Sequence, residues 1–343
     1  MWPSVNLHPP HVLWFVKPGP VPFMLEFPAN KIREGKSAPI LGRGMSTVEF
    51  DRIADVYDET RRALGEEALD GIRQMLTKHG CSSILEIGVG TGRVSAPLLK
   101  DGYEISGVDV SRRMMEKARA KGVNNLILAD GRMTPFREKS FDATLMAHVF
   151  HLLEDPLSVV REAARVSRVG VFALVRRRDG NRPWFPFYGG EDLSSFDAGG
   201  GNEEMAARKL FEERRERFKK IAEKYHWSWD SSRRYRNWRN EQEILETHPP
   251  DDLKVVSDAL VNETMEERIA RFQKGGYGFA SDMPVDMREE VIREMRASVS
   301  SLPQRVQQPR REVYQIALWL SRSLLAGDTT MRTPAHSDPD TPT

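Results

Sequence analysis

The chain has 343 residues with 51 basic and 50 acidic side chains, so no global field draws it to nucleic acid or to a membrane surface. Its 39% hydrophobic content supports a sizeable core, and no run approaches the ~20 apolar residues of a membrane-spanning helix. The single Cys81 excludes an intrachain disulfide, suits a reducing cytosol and reads as a small buried residue ahead of a strand.

Residues 1–44 are proline-rich and aperiodic. His11–Phe27 is apolar but broken by Pro18, Pro20 and Pro22, and it lacks a charged start, which argues against a signal peptide. The segment reads as an extended leader outside the fold. A helical pattern opens at Met45-Ser46-Thr47, with Val48, Ile53, Ala54 and Val56 on one side, and runs to Tyr57-Asp58-Glu59-Thr60-Arg61. A second helix, Glu66 to His79, carries Leu69, Ile72, Met75 and Leu76.

The most informative stretch follows. Ser83-Ile84-Leu85-Glu86-Ile87 is a short apolar run holding one acid, and Gly88-Val89-Gly90-Thr91-Gly92-Arg93 is a glycine-rich turn ahead of a helix over Val94–Leu99. This is how an α/β sheet builds a nucleotide pocket at the C-terminal edge of its first strand. A dinucleotide fingerprint wants G-x-G-x-x-G, whereas the glycines here sit at 88, 90 and 92. Glu104–Asp109 reads as the second strand, and Asp109 lies about twenty residues past the glycines, where an acid accepts both ribose hydroxyls. Ser111 caps a helix with Met114, Met115 and Ala118 on one face. Asn125–Leu128 is a third strand leading to Asp130-Gly131, and Phe141–Met146 is a fourth. A helix after Pro156 bears Val159, Val160, Ala163 and Val166, and the almost wholly apolar Val169–Val175 is a buried fifth strand. Strands alternating with helices imply right-handed crossovers and a mainly parallel sheet.

Beyond Val175 the chain changes character. Arg176-Arg177-Arg178 is followed by glycine-bracketed loop sequence and a charged helix, Glu203 to Lys224. Basic and aromatic residues then interleave through Tyr225–Trp229 and Arg233–Arg239. Across 208–239 such a surface can stack bases and contact phosphates, wall an acidic small substrate, or cover the sheet as a lid with snorkelling arginines. The acids Glu212, Glu213, Glu216 and Glu223 dilute its charge, so nucleic acid is the less favoured partner. Leu253–Val256 reads as a sixth strand and Val313–Trp319 as a last one; helices Met265–Gln273 and Val285–Val299 lie between them. The loop Lys274–Asp282 is a substrate lid or an ordinary connection, and its Tyr277 can steady a cation in a substrate. Met265, Met283, Met287 and Met295 read as packing residues. Residues 327–343 are too polar to offset their ordering entropy and read as a disordered tail. One domain over 45–326, with cap insertions at about 179–250 and 262–310, accounts for the middle of the chain.

The combination of Glu86, Gly88, Gly90 and Gly92 with Asp109, Asp130-Gly131, Pro135-Phe136 and Ser140-Phe141-Asp142 resembles the type-11 branch of class I S-adenosylmethionine-dependent methyltransferases, which includes the C-methyltransferases of quinone biosynthesis. The resemblance covers roughly residues 46–178. It implies a Rossmann-like sheet, mainly parallel with a final antiparallel strand and helical caps. It also implies S-adenosylmethionine as cofactor, with the Gly88–Gly92 turn near its amino-acid end, Asp109 at the ribose, Asp130 and Gly131 at the adenine, and Glu86, Val110 and Ala147 among the other cofactor-binding residues. By the same resemblance Tyr57 lines the cofactor or substrate side and Arg61 pairs with the cofactor carboxylate. Arg93 departs from the pattern, which has a small residue there, so its side chain points outward or brings charge to the pocket mouth.

The fourth strand exits into Ala147-His148-Val149-Phe150-His151, beside the expected methyl group, so His148 and His151 are candidate general bases or loop-orienting residues. The Asp/Asn-Pro-Pro-aromatic signature of amino-group methyltransferases is absent at this exit. The leading expectation is a cytoplasmic methyltransferase acting on a small molecule, with no metal. RNA or protein methylation, a non-catalytic cofactor-binding module and a dehydrogenase are the alternatives. The acceptor atom stays open among C, N, O and S, and so does the oligomeric state.

Overall fold

Parallel sheets bury both faces, so their central strands are apolar throughout. The chain follows this rule. The computed structural model describes residues 47–61, 64–153, 155–177, 202–227, 241–262, 264–275, 283–297 and 310–326. Its elements run α1 (Thr47–Thr60), α2 (Glu66–Lys78), β1 (Ser83–Ile87), α3 (Ser95–Lys100), β2 (Glu104–Asp109), α4 (Arg112–Ala120), β3 (Asn125–Leu128), β4 (Phe141–Ala147), α5 (Pro156–Val166), β5 (Ser167–Arg177) and α6 (Asn202–Lys224). They continue with α7 (residues 241–247), β6 (Asp252–Val261), α8 (Met265–Gln273), α9 (Val285–Ala297), β7 (Arg310–Leu320) and α10 (Ser321–Ala326). The leader 1–44, the run 228–240, the segment 276–282 with Tyr277, and the tail 327–343 lie outside the described residues.

The seven strands form one sheet in the order β3-β2-β1-β4-β5-β7-β6. The first five strands pair in parallel, and β7 inserts antiparallel to both β5 and β6. The expected class, an α/β Rossmann-like sheet with a final antiparallel strand, is what forms. The chain order reverses between β1 and β4, and that switch point is where a doubly wound sheet opens a crevice.

Two strands are longer than their apolar runs. β5 extends from Ser167 to Arg177 because it pairs with β4 on one side and β7 on the other. β6 spans ten residues where only Leu253–Val256 reads as a strand. It is the sheet edge, mostly exposed, so no inward alternation marks its second half. What carries that half is β7, which pairs with it through a register shift between Val255 and Ser257 and ties Arg311 to Asp258 at 2.6 Å.

Local signals explain the helix boundaries. Ser111 caps α4 by accepting the Met114 N–H, and Asp155 caps α5 by accepting the Ser158 N–H, with Pro156 in its first turn. Thr264 and Glu267 form a reciprocal capping box at α8. One sheet face buries Leu69, Ile72, Met75 and Leu76 of α2 together with Leu98, Met115 and Ala118. The other buries Val159, Val160 and Ala163 of α5 against Leu85, Ile87 and Trp319. A separate cluster joins α6, α8 and α9 through Phe218, Ile221, Ile269, Phe272, Met287 and Met295. Met265 and Met283 belong to it too, so all four methionines serve packing as expected.

Candidate active site

The three glycines after β1 all have positive φ, at 76°, 53° and 73° for Gly88, Gly90 and Gly92, a conformation open to glycine at little steric cost. Each meets a different demand. A Cβ on Gly88 would lie 2.4 Å from Val149 Cγ1, so Gly88 lets the exit loop of β4 pass. A Cβ on Gly92 would lie 3.1 Å from Ala118, so Gly92 lets α4 approach. A Cβ on Gly90 would meet nothing nearer than the Gly88 carbonyl at 4.0 Å, and Gly90 lines the cavity at this edge of the sheet.

Asp109 ends β2 beside that turn. Its Oδ2 accepts the Gly90 N–H at 2.7 Å and its Oδ1 accepts the Ser111 N–H at 2.9 Å. Burial pushes its carboxyl above the usual range, against these two hydrogen bonds. A carboxylate has about four lone-pair sites, and with the Val110 backbone N–H also directed at it some acceptor capacity remains. Glu86 lies deeper, buried, and accepts the Ser95 hydroxyl. Burial pushes it up to about 8, with the charge of Asp109 adding to the effect.

The cavity joins Tyr57, Glu86, Gly88, Gly90, Asp109 and Val110 with Asp130, Gly131, Ala147 and His148. Those ten expected site residues therefore converge, although they come from five separate stretches of chain. Asp130 is held by Arg132 in a two-pronged pair at 3.0 and 2.6 Å. Burial raises its carboxyl, but the hydrogen bonds from Arg132 outweigh that and hold it below the usual range. Gly92, Arg61 and His151 are not in the cavity wall. Gly92 turns to α4, Arg61 lies over the Tyr57 ring at 5.1 Å, and His151 sits in the 3-10 turn Phe150–Leu152, whose neighbours Leu152 and Leu153 line the wall instead. Tyr277 lies outside the described residues.

His148 has φ of 56° and presents its ring edge-on to Tyr314 at 5.3 Å. Burial pushes its imidazole down to about 3, with the guanidiniums of Arg93, Arg176 and Arg61 acting in the same direction. The ring is therefore neutral at physiological pH and a weak proton acceptor, far from the pKa that general-base catalysis favours.

Charge patterning holds α1 over the cavity. Asp51, Asp55 and Asp58 recur along α1, and Arg113 and Lys117 of α4 recur with Lys121 at its C-terminal cap. Asp55 pairs with Arg113 at 2.5 Å and Lys117 at 2.8 Å, and Asp58 pairs with Lys121 at 2.6 Å. Asp58 also accepts the Thr91 hydroxyl of the glycine turn at 2.6 Å, and Asp51 accepts the Ser111 hydroxyl at 2.5 Å. Exposed ion pairs are each worth little, so the apolar contact of Ile53 and Ala54 with Met114 carries the docking and the charges set its register. The reading from sequence missed this ladder, yet the matched spacing of acids and bases was there to find. Thr91, Met114, Arg132 and Asp155 were missed as lining residues for a different reason: only packing shows which loop side chains turn inward.

Comparison with known proteins bears on the same stretch. Residues 85–175 match the family model described as a methyltransferase domain. The matched stretch runs from β1 to β5 and takes in the glycine turn, Asp109, Asp130 and His148. An uncharacterized protein of Methanocaldococcus jannaschii is 32% identical over 125 residues, which are 35% of this chain and 57% of the relative. An uncharacterized methyltransferase of a Geobacillus species is 32% identical over 108 residues, 31% of this chain and 50% of the relative. The demethylmenaquinone methyltransferase of Thermotoga maritima is 29% identical over 170 residues, 43% of this chain and 74% of the relative. The chain spans about half the length of the first two of these relatives. The resemblance to type-11 methyltransferases drawn from the glycine turn and its neighbours is borne out.

Proposed function

We propose that this protein transfers a methyl group from S-adenosylmethionine to a small-molecule acceptor by in-line displacement. The observation that carries the reading is the cradle at the end of β1: Gly90 opens onto the cavity at positive φ while Asp109 stands beside it with acceptor capacity to spare. The cradle fits the cofactor chemically. It offers room for close backbone approach, a carboxylate for a pair of ribose hydroxyls, and Glu86 for a cationic ammonium. When bound, the cofactor supplies a methyl on a sulfonium, an electrophile that needs no further activation.

The chain's own work is then positioning and exclusion of water. Asp109 would hold the sugar, Val110 would border it, and Asp130 with Gly131 would border the base. Tyr57, carried on α1, would close the wall, with Ala147 and His148 bounding the acceptor side. His148, held neutral, suits an acceptor that needs no proton removed in the step. A small acceptor fits because the described part of α6 satisfies its charge within the cap: Arg217 reaches Glu294 at 3.6 Å and Lys224 reaches Glu290 at 2.6 Å, both on α9. That leaves less of its charge for a phosphate backbone than RNA binding would need. No described helix is long and apolar enough to cross a membrane. The lone Cys81, buried and pushed up to about 11 by that burial, is an inert thiol that suits a reducing cytoplasm.

The test is calorimetric titration of the full chain with S-adenosylhomocysteine, followed by methyl-transfer assays on acceptor panels. Micromolar binding is expected; no binding of either S-adenosylmethionine or its demethylated product would sink the reading.

Glu86 adds a pH signature. With a folded value near 8, it keeps its proton through a range in which the unfolded chain has lost it. The folded state then binds more protons, so this group's contribution to stability falls as pH rises from about 4.5 to about 8. An incoming ammonium favours the carboxylate form, so binding near pH 7 should release a proton and tighten as pH rises. Titrations in buffers of different ionisation enthalpy should report that release. Glu86→Gln should lose it and should melt higher than the parent protein at pH 8; proton release that is the same in both proteins would contradict the role.

A further inference from the structure

Asp130 bears on how the base of the cofactor is read, and this inference rests on the methyl-transfer reading above. The parallel strands β1, β2 and β3 are neighbours, so the glycine turn, Asp109 and Asp130 follow one another along one edge of the sheet. A cofactor whose sugar lies on Asp109 carries its base toward Asp130. A carboxylate there suits the exocyclic amine of a purine, which is a donor. Asp109, Asp130 and Arg132 all line the cavity.

The Asp130 carboxylate is already taken up by its near neighbour. Its Oδ1 accepts the Arg132 backbone N–H at 2.8 Å and Nε–H at 3.0 Å. Its Oδ2 shares that Nε–H at 3.0 Å and accepts from Nη2 at 2.6 Å. Two donor contacts reach each oxygen, which uses the roughly four lone-pair sites of a carboxylate. Admitting an amine would exchange a charged, two-pronged partner for a neutral donor, a weaker one. The other carboxylate at this end, Asp155, accepts both the N–H and the hydroxyl of Ser158 in capping α5.

The chain around the pair is fixed. The Met133 N–H returns to the Asp130 carbonyl at 3.0 Å, closing a turn about Arg132. Thr134 then donates its N–H and its hydroxyl to Glu162 of α5 at 2.8 and 2.6 Å. Arg165 holds the same Glu162 at 2.7 Å and the Phe136 carbonyl at 2.9 Å. The turn is anchored to α5 before any ligand arrives, so the guanidinium is presented to the cavity in one place.

We propose that Arg132 sets the cofactor specificity at the base: by occupying Asp130 it withdraws the acceptor for a 6-amino group, and the site takes its sulfonium nucleoside without reading the 6-position of the purine. Asp130 is a positioning residue for Arg132, whose guanidinium forms the wall on that side. A cofactor with an altered 6-position is therefore accepted, while the sugar and the amino-acid end keep their own partners.

The experiment titrates the full chain with S-adenosylhomocysteine and with its counterpart carrying hydrogen in place of the 6-amino group. The ring nitrogens and the shape of the base are kept, and only the donor is lost. The parent protein should bind the two within about threefold of each other. Arg132→Ala frees the carboxylate, so it should come to prefer S-adenosylhomocysteine by about tenfold or more. A ratio of affinities within one protein cancels any general loosening of the cavity, which a purely structural role for Arg132 would produce. Arg132→Ala combined with Asp130→Ala should lose the preference again. A parent protein that favours S-adenosylhomocysteine by tenfold or more overturns the proposal, as does an Arg132→Ala protein that still does not distinguish the two ligands. A preference that survives in the doubly changed protein also overturns it, because the amine is then read by another group. Failure of the parent protein to bind S-adenosylhomocysteine is a separate result: it brings down the methyl-transfer reading and this proposal with it.

Discussion

Asp109→Ala is expected to lower affinity for S-adenosylhomocysteine about 100-fold or more, on the order of 3 kcal/mol, because the ribose hydroxyls lose a charged acceptor. The change should also loosen the empty protein. Gly90 and Ser111 both donate their backbone N–H groups to this carboxylate, and a buried donor left without a partner costs about 1–3 kcal/mol. Part of that is returned, since burial already disfavours the charge of Asp109. A net loss of about 1–2 kcal/mol follows, with the binding loss the larger effect. Asp109→Asn, which keeps an oxygen acceptor and removes the charge, should fall between the two proteins on both measures. Calorimetry for binding and a thermal melt for stability decide the matter; unchanged affinity in Asp109→Ala would contradict the site map.

The glycine turn offers a second large effect, one that separates folding from binding. Gly88→Ala should be poorly folded. Its φ of 76° already disfavours a side chain, by about 1–2 kcal/mol. The new Cβ would also lie 2.4 Å from Val149 Cγ1, and overpacking of that kind costs about 1–3 kcal/mol more. Gly90→Val should behave in the opposite way. It bears a similar backbone penalty at φ 53°, but its Cβ meets open space. The variant should fold with a modest drop in melting temperature and yet lose S-adenosylhomocysteine binding by about 100-fold or more, because the isopropyl group takes the room needed for close backbone approach. A Gly90→Val protein that folds and binds normally would show that the cradle is not where the cofactor lies.

Much of this was legible along the chain because it depends on neighbours in sequence. The order of strands and helices from Ser83 to Arg177 follows from apolar period and length, and the turn at Gly88–Gly92 from residues that tolerate positive φ. Ser111 and Asp155 mark helix starts through hydrogen bonds to groups three residues on. Asp109 was found by its spacing from the glycines, because one βαβ unit sets how far apart those positions fall. The distal half of β6 was not legible. Its residues are exposed at the sheet edge, and its strand character comes from pairing with β7, some fifty residues later.

The charge state of His148 belongs to that second kind of property. As a residue type at the exit of β4 it reads as a candidate base, but its imidazole is pushed down to about 3 by burial and by guanidiniums at positions 93, 176 and 61. Coulomb interactions depend on distance in space, and no spacing along the chain encodes three arginines converging from different elements. The division of labour among the glycines is similar: their torsions are local, but which of them faces open space depends on Val149 and Ala118 arriving from elsewhere. Sequence alone thus determined the sheet, the turn and the acid beside it, since hydrophobic period, backbone torsion and capping act over a few residues. Tertiary structure alone decided which side chains share the cavity and what charge each of them carries, since packing and electrostatics act between residues that only the fold brings together.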